Sequence, residues 1–94
     1  MKDYFIVRTD RAGVFFGKIK LNKETSIIMT DVRKLHYWVG AAAVEELSQT
    51  GANKPAECRF TVTIPEMEIA SPIQIIPCTE KAIEVIKSIK EWKA

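Results

Sequence analysis

Residues 79–92, TEKAIEVIKSIKEW, set Ala82, Val85, Ile86, Ile89 and Trp92 at helical spacing behind Thr79, which is placed as an N-cap. An apolar stripe of this kind holds a short helix only when it is buried, so the rest of the chain must supply a complementary apolar face. Most of the chain does so with a period of two. "YFIVRT", "VFFGKIKL" and "SIIMTDV" read as strands separated by the turns "TDRAG" and "NKET", and "RKLHYWV" continues the third strand or forms a fourth. Gly17 inside the second strand marks a bulge or a close backbone approach. "CRFTVTI" alternates cleanly and is expected to end at Pro65, while Pro72 and Pro77 restrict how centrally "MEIASPIQIIPC" can pair.

Between these runs lies "GAAAVEELSQTG", a run of good helix formers with an apolar stripe of Ala43, Val44 and Leu47, closed by Gly51 as a stop. The expected fold class is therefore α+β: a small antiparallel sheet, open or barrel-like, with two helices packed on it, about 40–50 and 79–92. A chain of 94 residues cannot divide its apolar residues between two cores, so residues 1–94 are expected to form a single domain.

Several function classes lose their footing at once. Fourteen basic residues are interleaved with twelve acidic ones, for a net charge of +2, which is not the one-sided surface of a nucleic-acid binder. No run approaches the ~18 apolar residues of a membrane-spanning helix, and "MKDYFIVRT" lacks the apolar core of a secretory signal. The expectation is a cytoplasmic protein with no membrane contact. Cys58 and Cys78 have no CxxC spacing and no paired histidine, so buried thiols are expected, with no metal and no cofactor. The chain has one histidine and no GxSxG, HExxH, Walker or GxGxxG motif, so it is not expected to be an enzyme. Cys78, just ahead of the Thr79 cap, is read as a packing residue rather than an activated thiol.

Binding has more support, at the junction "RKLHYWVGAAA". If "KLHYWV" is extended, Lys34, His36 and Trp38 project from one face, and Leu35, Tyr37 and Val39 from a core face. A cation, an imidazole and an indole suit stacking on a base beside a phosphate. Gly40 and Ala41 then stand where a helix start would leave unpaired N–H groups for an anion, with no Ser, Thr, Asp or Asn as N-cap. Arg8 and Arg11, around the first turn, could add cations if that hairpin lies alongside. The competing reading is purely structural: Trp38 roofs the core, His36 lies on the surface and the alanines let the helix sit close. Phe15 and Phe16 cannot both face the core from one regular strand, so one is expected to be exposed, bulged or buried in a subunit contact of a homo-oligomer.

The segments "VRTDRAGVFFG", "RKLHYWVGAAAVEEL", "KPAECRFTV" and "IQIIPCTEKA", closed by Trp92, resemble a family of small phage and prophage proteins of unknown function. His36 stands where that pattern more often has an aromatic. The resemblance implies a phage-encoded accessory protein acting inside a bacterial cell, and such proteins mostly work by binding. The resulting expectation is sequestration of a nucleotide-derived signal of host defence, of the cyclic nucleotide or ADP-ribose type. Trp38 and Tyr37 would supply aromatic surface, Arg33, Lys34 and Arg8 would neutralise phosphate, and Gly40 and Ala41 would donate N–H groups. The alternative is a protein-interaction module that binds and inhibits a host protein through the same residues.

Overall fold

A computed structural model describes residues 3–94. The chain runs β1 (Tyr4–Thr9), β2 (Val14–Asn22), β3 (Ser26–Tyr37), α1 (Val44–Thr50), a single 3-10 turn (Pro55–Glu57), β4 (Arg59–Phe60), β5 (Ile64–Ala70), β6 (Pro72–Pro77) and α2 (Glu80–Ser88). All strand pairings are antiparallel, in the order β4-β3-β2-β1-β6, with β5 also pairing β3. This is the expected α+β architecture. The sheet is strongly curved but does not close into a barrel.

Two irregularities along β3 bear on the site. Opposite Gly17, the pairing of β2 with β3 slips between Phe16 and Lys18, and Asp31 adopts a φ of 49°. A Cβ on Gly17 would lie 2.9 Å from the Thr30 carbonyl oxygen and from the Val32 Cα, so only glycine lets the bent β3 pass this close. The second irregularity divides "CRFTVTI". Its first part pairs at Leu35↔Phe60, and the chain resumes pairing at Val32↔Ile64 on the same edge of β3. Thr61 fills the gap: its N–H donates to the Lys34 carbonyl at 3.0 Å, and its Oγ1 accepts from the Lys34 N–H at 2.9 Å. Pro65, expected to end the strand, lies inside β5 instead, because β5 is an edge strand where a missing N–H is tolerated. Pro72 and Pro77 likewise bound β6, the opposite edge. Ser71 alone joins these two edge strands, at a φ of 55°.

Curling gives the sheet two buried faces. Tyr4, Ile6, Phe16 and Leu35 pack under the helices against Leu47, Ile83, Ile86 and Ile89. Val7 and Phe15 join Ile27, Met29, Val32 and Ile69 in a second cluster. Phe15 and Phe16 are consequently both buried, at 5% and 1% exposure. Their adjacency reflects a strand covered on both faces, and the expectation that one of them is left for a subunit contact is corrected. The large apolar side chains standing out on the sheet edge are Ile73 and Ile75 of β6.

Both helices are shorter than expected. Thr79 caps α2, its Oγ1 accepting from the Ala82 N–H at 3.1 Å, but the helix stops at Ser88 and Trp92 lies beyond it. The tail turns back on β4, where the Trp92 N–H donates to the Phe60 carbonyl at 2.8 Å. Helix α1 begins at Val44, and residues 40–43 form a bent loop. There the Ala42 N–H donates to Glu46 Oε1 at 2.8 Å, and the Gly40 carbonyl accepts from the Asn53 N–H at 3.0 Å.

Candidate binding surface

Tyr37, at the end of β3, is paired with Arg59, the first residue of β4. The Arg59 guanidinium carbon lies 5.7 Å from the Tyr37 ring centroid and 5.8 Å from that of Trp92, so one cation bridges two aromatic rings. His36 stacks on Trp92 with centroids 4.7 Å apart and planes 14° from parallel. Four side chains from β3, β4 and the C-terminal tail thus form one exposed patch. Tyr37 is 50% and Trp92 45% exposed, among the largest apolar areas left in solvent.

The patch borders a cleft of about 450 Å³ lined by Tyr37, Val39, Glu57, Cys58, Arg59 and Trp92. Ala56 and Cys58 are shared with a neighbouring depression of about 360 Å³ that runs on to Ser88, Ile89 and Lys90. Trp92 is shared with a third, of about 310 Å³, reaching Lys93 and Ala94. The result is a string of open hollows rather than one enclosed chamber.

The tail is held in register by Arg33, which is only 3% exposed. Its Nε donates to the Thr61 carbonyl at 3.0 Å, one terminal nitrogen to Ile86 and Ile89 at 2.9 and 3.0 Å, and the other to Phe60 at 3.2 Å. Two of these carbonyls come from the interrupted β4–β5 run and two from the C-terminal end of α2, where backbone donors run short; those of Phe60 and Ile86 also accept from the Trp92 and Ile89 N–H groups. A buried cation at a helix C-terminus is also favoured by the helix dipole. Burial lowers the Arg33 pKa, with the negative charge of Glu91 acting the other way. Arg33 is therefore buried beneath the tail and is not an exposed cation beside Tyr37 and Trp38, a correction to its expected place in the binding junction.

The other expected binding residues disperse. Arg8 reaches Gln74 at 3.5 Å on the β1–β6 side, and Arg11 lies beside Asp10 in the exposed first turn. Lys34 lies over Gly13, where an added Cβ would come within 2.8 Å of its Cε. Trp38 is half-buried against the main core, the structural of its two readings. Gly40 and Ala41 precede the helix by three residues or more, so they are not helix-start donors. Of the face expected in the core, Leu35 is buried but Tyr37 is exposed. Only His36 and Tyr37 enter the patch, and their partners Arg59 and Trp92 were not among the expected binding residues. Arg59 was legible as an outward position of "CRFTVTI"; Trp92 was assigned to the helix stripe.

Both cysteines are free and buried. The Cys58 thiol faces the carbonyls of Val39 and Lys54 at 3.7 and 3.6 Å. Burial pushes the Cys78 thiol up to about 12, which keeps it protonated and unreactive at neutral pH. Among the described residues no group of three or more His, Cys, Asp or Glu is placed to hold a metal ion, and no helix is long and apolar enough to cross a membrane.

The family model of a domain of unknown function, DUF6948, matches residues 2–86, and the chain belongs to that family. No curated protein and no solved structure matches it.

Proposed function

We propose that the domain is a non-catalytic protein-interaction module that grips an extended segment of another protein across Tyr37, Arg59 and Trp92. The observation that carries this reading is the Arg59 guanidinium held between two exposed aromatic rings. Trp, Tyr and Arg are the residues that dominate binding hot spots, and here they are already stiffened by one another, which reduces the entropy lost on binding. The hollows on either side of the rings continue along the surface, a shape suited to a chain segment. The buried Cys78 thiol and the stacking of the sole histidine on Trp92 support a non-catalytic role. The resemblance to small phage proteins supports a host protein as the partner and the bacterial cytoplasm as the place of action.

Capture of a nucleotide-derived signal is the second reading, favoured by two rings and a guanidinium beside a cleft of about 450 Å³. It ranks second because the expected phosphate partners are elsewhere: Arg33 is buried and the amides of Gly40 and Ala41 head no helix.

The deciding experiment is affinity capture from bacterial lysate with wild type and with Arg59→Ala, alongside thermal shifts against cyclic nucleotides and ADP-ribose forms. A protein retained by wild type and lost by the variant supports the interaction module. A nucleotide-induced rise in Tm that Arg59→Ala removes, with no differential protein, transfers the site to the second reading.

A further inference from the structure

A second set of cations converges on a different face of the molecule. A cavity of about 240 Å³ is lined by Tyr4, Phe16, Asp31, Arg33, Thr63 and Lys87. The Tyr4 ring, stacked on Phe16 with centroids 4.9 Å apart, forms a rigid aromatic wall. Two ammonium groups approach that one ring: Lys87 Nζ lies 4.8 Å and Lys18 Nζ 5.5 Å from its centroid. Lys87 Nζ also donates to the Tyr4 hydroxyl at 3.3 Å. The third cation is Arg33. Its four bonds to carbonyls use four of its five N–H groups, and among the described residues it makes no ion pair. Against these three positive charges stand Asp31 of the cavity lining, whose Oδ2 lies 3.9 Å from Lys18 Nζ, and Glu91, whose negative charge acts on Arg33.

Lys18 and Lys87 have local partners in Asp31 and in the Tyr4 ring and hydroxyl, and Arg33 in its carbonyls, yet together the three cations leave an excess of positive charge around one small cavity. We propose that this cavity binds a small oxyanion, with a phosphate group as the best-matched ligand. A tetrahedral dianion offers oxygens in several directions. The Lys87 ammonium and the hydroxyls of Tyr4 and Thr63 line the cavity and can meet them from different sides, with Lys18 adding charge from beside the Tyr4 ring and Arg33 its fixed charge from the floor. A planar carboxylate has one charge and two oxygens and leaves part of that set unpaired. The cavity shares no lining residue with the hollows beside Tyr37, Arg59 and Trp92, so the proposal does not rest on that patch binding a protein.

The test is an amide NMR titration of the whole chain with inorganic phosphate and, in a second arm, acetate, with chloride holding ionic strength constant. Phosphate is expected to move the amides of Tyr4, Thr63 and Lys87 saturably. Lys87→Met should weaken that binding on the order of tenfold, as for loss of one charge-assisted contact. Asp31→Asn should tighten it, since the substitution removes the opposing charge while asparagine tolerates the positive φ of that position. Variants of opposite sign separate a binding effect from damage to the fold. Unsaturable shifts with phosphate, or phosphate binding indifferent to both substitutions, would overturn the site; acetate binding as tightly as phosphate would overturn the phosphate assignment.

Discussion

The Arg33 side chain and the Trp92 backbone N–H donate to the same carbonyl, that of Phe60, at 3.2 and 2.8 Å. This shared acceptor explains how a short tail beyond the last helix can present an ordered indole. Arg33 joins the interrupted β4–β5 run to the end of α2, and Trp92 is tied to the same point. The binding patch is thus built on the most heavily hydrogen-bonded residue described in the interior, and core integrity and patch geometry are coupled.

Replacing Arg33 tests that coupling. Arg33→Met removes four hydrogen bonds to buried carbonyls and is expected to cost about 3 kcal/mol in urea denaturation. Arg33→Lys should recover little of it, because a single ammonium cannot reproduce the planar fork. In both variants Trp92 fluorescence should shift towards that of a solvated indole at denaturant concentrations where wild type is unchanged. A stability loss below ~1 kcal/mol would show that water replaces the guanidinium at no great expense.

The patch residues themselves should behave oppositely. Arg59 and Tyr37 lie on the surface, and their cation–π contact is worth on the order of 1 kcal/mol or less. Arg59→Ala and Tyr37→Ala should therefore leave the urea midpoint nearly unmoved while abolishing capture of the partner. Loss of stability comparable to that of Arg33→Met would make Arg59 part of the scaffold instead of a contact residue.

The sheet and helices were legible because periodicity reports burial, and burial decides most elements. The chain departs from that reading where a local device overrides the period. Phe15 and Phe16 look incompatible with one strand until curvature at Gly17 and Asp31 buries both faces. Arg33 reads as a surface cation because nothing local announces that carbonyls of Phe60, Thr61, Ile86 and Ile89, distant in sequence, converge on its side chain. Trp92 continues the helical stripe by spacing, yet the helix ends four residues earlier, where Arg33 holds its last carbonyls. The Tyr37↔Arg59 pairing follows from register across a long loop, which spacing alone does not specify.

Cys78 gives a pH signature. Its folded pKa, about 12, lies above the ordinary value of 9.0, so the folded protein keeps its proton where the unfolded chain loses it. The contribution is fully present below pH 9 and declines as pH rises through the window from 9 to 12, by up to about 1.4 kcal/mol per pH unit. The informative quantity is the difference between wild type and Cys78→Ala, which isolates the thiol. That difference should be flat from pH 6 to 8 and shift in the variant's favour above pH 9. A parallel pair of curves would mean that the thiol ionises as freely folded as unfolded.

Gly40→Ala separates the two explanations of the glycine that follows "HYWV". Had Gly40 admitted an anion, alanine there would weaken ligand binding and leave the fold intact. In the structure Gly40 has a φ of +95°, and an added Cβ would meet Asn53 Oδ1 and lie 2.6 Å from the Lys54 nitrogen. The Asn53 N–H donates to the Gly40 carbonyl at 3.0 Å, so the two backbones are already in contact and cannot separate without losing that bond. Positive φ and backbone collision together should destabilise the variant by about 2–4 kcal/mol. The loop that carries Val39 and Cys58, and with them one wall of the cleft, should loosen first, seen as faster amide exchange at Asn53 and Lys54 than in α2. An alanine variant as stable as wild type would return Gly40 to the list of ligand contacts.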